Sequence, residues 1–141
     1  MLQHPITGSY RAEDCQFLLT PLQLVATEVE EKEQLIQSGT KHYSEMLSPE
    51  YAPSAHYLTL FRTLTARYRQ RLAGEVLALA RYLHLQQPDL PLTVVSLARA
   101  GTPIGALLGR ALREVFQHPV QHYSISIIRD RGIDQAALRY L

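Results

Sequence analysis

Residues Leu92–Leu112 read LTVVSLARAGTPIGALLGRAL. The β-branched run LTVVSLA predicts a buried strand. Arg99, Ala100 and Gly101 then break it, and TPIGALLGRALREVFQ predicts a helix that starts at once. Thr102 is a fitting N-cap, and Pro103 takes the first helical position, where a missing N–H costs nothing. Beyond it HYSISII predicts a second strand, Tyr123–Ile128, then a turn at RDRG and a helix start in DQAALRYL. Strands joined by a helix of this length run parallel, with a right-handed crossover.

Upstream the chain reads as helical. In RAEDCQFLLTPL, Cys15, Leu18 and Leu19 stand at i, i+3 and i+4, which predicts a short helix stopped by Pro21. EVEEKEQLIQSG predicts a second helix, with acids in its first turn and Gly39 where a C-terminal cap belongs. KHYSEMLSPEYAPS predicts a loop with one helical turn, and its Ser54 can cap the helix after it. From Tyr57 to Leu83 the apolar residues step by three and four, so one amphipathic helix is expected over 55–86. QQPDLP is a linker. The expected fold class is α/β, a helical N-terminal part (1–90) followed by a strand–helix–strand–helix unit (91–141).

Two parallel strands do not make a stable sheet, and both would show open edges. The chain is therefore expected to be a piece of a larger domain, or to have its sheet completed by the remaining C-terminal part or by a second chain, a homo-oligomer included.

Hydrophobic content of 46% against 19% charged residues is that of a chain that folds, and 141 residues suit one domain. Fourteen basic against thirteen acidic residues give no global attraction to nucleic acid or anionic membrane. No apolar run approaches a membrane span, and MLQHPITGSY lacks the basic start and apolar core of a signal peptide; the expected location is cytoplasmic. Cys15 is the single cysteine, which excludes an internal disulfide framework and a Cys-rich metal site.

The break at Arg99–Thr102 has the parts of an anion site. A helix start offers backbone N–H groups and the positive end of a dipole. Ala100 and Gly101 are small, Thr102 adds a hydroxyl and Arg99 a fixed charge. Arg129, Asp130 and Arg131 come after the second strand, and with both strands parallel the two loops leave the same sheet edge, where ligands of such sheets bind. Many strand–helix junctions carry a glycine merely to turn the chain, and this one is neither G-x-G-x-x-G nor a P-loop. The residues alone leave both readings open. The remaining arginines of this half, Arg110, Arg113 and Arg139, read as solvated helix faces.

VVSLARAGTPIGALLGRAL with HYSISIIRDRGID resembles the phosphoribosyltransferase-like domain of the StiP family, which is associated with tellurite-resistance stress operons. GSYRAEDCQFLLTPL and EKEQLIQSGTKHYSEMLSPEYAPS carry the likeness across nearly the whole chain. The resemblance implies a type I phosphoribosyltransferase-like parallel sheet, incomplete here, and a role in ribonucleoside synthesis for stress response. It implies that Arg99, Ala100, Gly101 and Thr102 hold the pyrophosphate of phosphoribosyl pyrophosphate (PRPP), and that the Arg129–Gly132 loop is a hood over it. No covalent cofactor is implied; Mg2+ is an option in the complete enzyme, and RNA would be met only through a further domain of the family absent here. The family's acidic strand end and Thr/Gly-rich loop for the ribose phosphate do not occur in this sequence, so the chain alone is expected to be inactive as a transferase.

The family is also labelled cysteine protease. Under that alternative Cys15 would be the nucleophile, with His42, His56 or His122 as base. A lone Cys beside Leu18 and Leu19 reads more simply as a small buried hydrophobe. A non-catalytic interaction module is the third reading. His42, Tyr43, Ser44, Glu45 and Tyr51 either wall a base-binding site or pack and cap their own loop.

Overall fold

A computed structural model describes residues 5–141; the first four residues of the N-terminal extended segment, and with them that part of the 1–90 region, lie outside the described residues. The elements in order are β1 (Gln16–Phe17), α1 (Val29–Gln37), a 3-10 turn (Tyr43–Glu45), α2 (Ala55–Gln86), β2 (Leu92–Leu97), α3 (Gly101–Val115), β3 (Val120–Ile125), β4 (Ile127–Ile128), β5 (Gly132–Ile133) and α4 (Gln135–Tyr140). The chain divides into two units, Met1–Thr20 with Arg67–Leu141, and Pro21–Ala66.

The first unit holds a parallel sheet in the order β1-β3-β2. β2 and β3 pair from Leu92↔Val120 to Leu97↔Ile125, as the strand–helix–strand pattern predicts, and the class is α/β. The third strand is a correction. Cys15–Leu19 does not form a helix: Gln16 and Phe17 pair with Tyr123 and Ser124 of β3, and the Leu18 amide donates to the Ser124 carbonyl at 3.0 Å. Three apolar positions are too few to fix a period, and tertiary pairing decided the outcome. Ile6 then bridges the outer side of Phe17. The chain thus supplies its own third strand.

α3 covers one face of the sheet. Leu108, Ala111 and Leu112 pack with Val76 and Ala80 of α2 and against Leu92, Val94 and Val120. On the other face Ile125 meets Leu18 and Ala137 of α4. The Asp134 carboxylate caps α4, accepting from the Ala136 and Ala137 amides at 2.8 and 3.1 Å. α2 runs over the expected 55–86, but Val76 and Ala80 are its buried residues. His118, 2% exposed, fixes the corner after α3. Its Nε2 lies 2.9 Å from the Leu90 carbonyl, which can only accept, so Nε2 carries the proton and Nδ1 accepts from His84 Nδ1 at 3.0 Å.

In the second unit α1 ends as expected at Gly39, whose φ of 69° suits glycine. Ser54 caps α2 through the Tyr57 amide, 3.2 Å away. Lys32 Nζ donates to Ser48 Oγ at 3.1 Å, and the Thr27 amide to the Leu47 carbonyl at 2.7 Å.

Candidate functional site

The β2–α3 junction leaves the carboxyl edge of the sheet. The ladder ends where the Ala98 amide donates to the Ile125 carbonyl at 2.9 Å, and the next peptide bond, Ala98–Arg99, is cis. Arg99 and Ala100 are exposed, and α3 begins at Gly101. Val95, Leu97, Arg99, Gly101, Ile104 and Ile127 of β4 are among the residues that line a groove of about 650 Å³.

The capping expected of Thr102 is not what the structure shows. The cap position falls to Ala100, with no side-chain cap, and Thr102 is 3% exposed with its hydroxyl 2.7 Å from Ser124 Oγ. Its amide donates to the Arg99 carbonyl at 3.2 Å. A buried hydroxyl takes the partner the sheet offers, so Thr102 stands behind the junction, held by protein groups.

Arg129, Asp130 and Arg131 form the exposed tip of the β4–β5 hairpin. The strand expected over Tyr123–Ile128 is therefore two: it starts earlier, at Val120, and breaks at Ser126, after which the hairpin begins. Asp130 sits at φ 63°, a conformation aspartate tolerates better than most residues. The hairpin that carries these three residues is thus the one that gives Ile127 to the groove.

Under the groove lies a buried polar array. His122, 4% exposed, has Nδ1 at 2.7 Å from the Asp14 carbonyl and Nε2 at 2.9 Å from Ser96 Oγ. A carbonyl only accepts, so Nδ1 carries the proton and Ser96 donates to Nε2. Both ring nitrogens of His122 are taken, neither of them by Cys15. The Asp14 carboxylate, also buried, is gripped by Arg110 and by Arg113 Nη2 at 2.7 Å. Arg110, with burial opposing it and Arg113 adding to it, holds the Asp14 carboxyl below the ordinary carboxylate range. The reading of Arg110 and Arg113 as solvated faces is corrected: no local pattern signals that an acid ninety-six residues upstream of Arg110 is buried beside them.

Cys15 is 0% exposed. Burial first, then the neighbouring Asp14 charge, pushes its thiol up to about 11. His42 serves its own loop: it accepts from the Ser44 amide while Glu45 Oε2 accepts from the His42 amide at 3.3 Å, a reciprocal cap of the 3-10 turn. Among the described residues no three His, Cys, Asp or Glu side chains gather as a metal site, and no helix is long and apolar enough to cross a membrane.

A family model described as "Tellurite-like stress resistance cysteine protease StiP" matches residues 8–141. The chain is 48% identical over 138 residues to the "Cysteine protease StiP" of Acinetobacter baylyi (strain ATCC 33305 / BD413 / ADP1). That alignment takes in 98% of this chain and 36% of the relative, so the chain spans little more than a third of that protein's length. No solved structure matches the chain. The breadth of the family match and the identity to this relative agree, and the chain belongs to the StiP family.

Proposed function

We propose that the chain contributes the diphosphate-binding edge of a phosphoribosyltransferase-like α/β domain, with pyrophosphate or PRPP as ligand. The observation that carries this reading is the groove along β2, lined by Arg99, Ala100 and Gly101 and by Ile127 of the hairpin whose tip bears Arg129 and Arg131. Arg99 would supply a guanidinium fork and Gly101 the close backbone approach that a phosphate oxygen needs. Thr102 would hold α3 in register through Ser124. Residues 91–141 form the binding unit in this reading, and the hairpin tip is its hood. The described residues offer no carboxylate cluster for Mg2+. Titrating pyrophosphate and PRPP into the chain by calorimetry tests the proposal. Saturable binding that weakens tenfold or more in Arg99→Ala supports it; no binding, or equal binding by both proteins, overturns it.

The family description and the relative's name favour a second reading, thiol hydrolysis. In this chain it would need Cys15, which is sealed, has its ionisation suppressed, and finds both ring nitrogens of His122 already bonded elsewhere. The first reading therefore stands ahead.

A further inference from the structure

We propose that His122 is a positioning residue for the diphosphate site: buried and out of the ligand's reach, it sets where the first two turns of α3 stand over the end of β2. The inference rests on the reading of Arg99–Gly101 as that site. The contacts form a path that begins and ends on α3. Arg110 and Arg113 hold the Asp14 carboxylate. The Asp14 carbonyl accepts from His122 Nδ1 at 2.7 Å, and His122 Nε2 accepts from Ser96 Oγ at 2.9 Å. Ser96 is in turn the residue on which α3 starts: a Cβ built on Gly101 would lie 3.4 Å from Ser96 Cβ.

Between these two ends the ring is a spacer. α3 crosses it at Gly105, where a Cβ would stand 2.8 Å from His122 Cε1. Gly101 lies one turn before Gly105, about 6 Å along the axis, so a shift of the helix over the ring is carried straight to the junction. Ser124, two residues beyond His122 on the same face of β3, ties that turn a second time through the Thr102 hydroxyl at 2.7 Å. Filling space does not require a histidine. A leucine would occupy similar room without burying two polar nitrogens, which cost free energy unless each is bonded. The ring adds a fixed orientation: Asp14 and Ser96 hold its nitrogens from two different segments, so it cannot flip without breaking a bond. Supporting groups of this kind hold a binding site to within about 0.5 Å.

Calorimetric titration of pyrophosphate, run well below the unfolding midpoint of each protein, is the test. Three variants divide the roles of the ring. His122→Leu fills the space without hydrogen bonds, Ser96→Ala removes the hydroxyl and keeps the ring, and His122→Gln places an amide oxygen where Nε2 accepts. The wild-type chain should bind. His122→Leu and Ser96→Ala should bind about tenfold more weakly at unchanged stoichiometry, and His122→Gln should return to within about threefold of wild type, the scale that a small misplacement of a positioned group allows. Unchanged stoichiometry separates a displaced site from lost folding, and Ser96→Ala carries the comparison if His122→Leu does not fold. Variants that melt lower but bind as tightly as wild type, or His122→Gln binding no better than His122→Leu, overturn the inference and leave the diphosphate reading standing. A wild-type chain that does not bind pyrophosphate overturns that reading and this inference together.

Discussion

The ring of His122 occupies the space that a side chain on Gly105 would need. A Cβ built there would stand 2.8 Å from His122 Cε1 and 3.0 Å from Cδ2. The ring cannot swing away without cost, because Asp14 and Ser96 hold its two nitrogens. Glycine at 105 is thus a packing requirement that lets α3 lie against β3. Gly105→Ala should destabilise the fold by about 3 kcal/mol, the scale of an overpacked core. Denaturant unfolding checks it. A cost below about 0.5 kcal/mol, the range of a surface change, would mean that α3 shifts freely over the ring.

The buried hydroxyl pair of Thr102 and Ser124 makes a second test. At 2.7 Å each is the other's partner inside the sheet–helix seam. Thr102→Val or Ser124→Ala alone strands one hydroxyl and should cost about 1–3 kcal/mol. The double variant removes both polar groups and should cost less than the two single costs added. Full additivity in a double-mutant cycle would show that the two hydroxyls do not support one another.

The β2–α3–β3 unit was legible because each signal repeated at several positions: a β-branched run, Pro103 early in the helix, and an apolar stripe. α2 was legible over 55–86 for the same reason, since its period holds for many turns. β1 was not. Gln16 and Phe17 pair through a partner more than a hundred residues away, and Cys15, Leu18 and Leu19 satisfy a helical period by chance. Of the candidate site, Arg99 and Ala100 are exposed at the carboxyl end of β2, whereas Thr102 faces inward because Ser124 waits behind it. Nothing in the spacing could announce that Asp14 is buried, that Arg110 and Arg113 grip it, or that His122 serves Ser96 rather than Cys15.

Asp14 makes stability depend on pH. Its folded ionisation is shifted down by Arg110 and Arg113, so the ionised carboxylate stabilises the fold at every pH above the unfolded value, about 4. That contribution is lost as pH falls below about 4, through the lower folded value. Asp14→Asn should lower stability by about 2 kcal/mol at pH 7, within the range for hydrogen bonds to charged groups. The gap between wild type and variant should hold constant from pH 8 to pH 5 and narrow below pH 4. Thermal unfolding across this range is the measurement; a gap that widens toward acid would reverse the sign of the linkage.

Cys15 gives the prediction that separates the two functional readings. Its thiol, pushed up to about 11, is fully buried. At pH 8 roughly one molecule in a thousand would hold the thiolate, against about one in four for an exposed thiol with an ordinary value near 8.5. Reaction with iodoacetamide should therefore be several hundredfold slower than for a free thiol on ionisation alone, and burial slows it further, so that modification waits for unfolding. The native chain should stay unlabelled for hours at pH 8 and label at once in guanidinium. Cys15→Ser should leave pyrophosphate binding unchanged, because no ligand group is asked of the sulfur. Because Asp14 also holds the thiol neutral, Asp14→Asn should speed labelling slightly, through charge and through looser packing. Prompt stoichiometric labelling of the folded wild-type chain, with loss of any hydrolytic activity, would instead restore Cys15 as a nucleophile and set the diphosphate reading behind the thiol one.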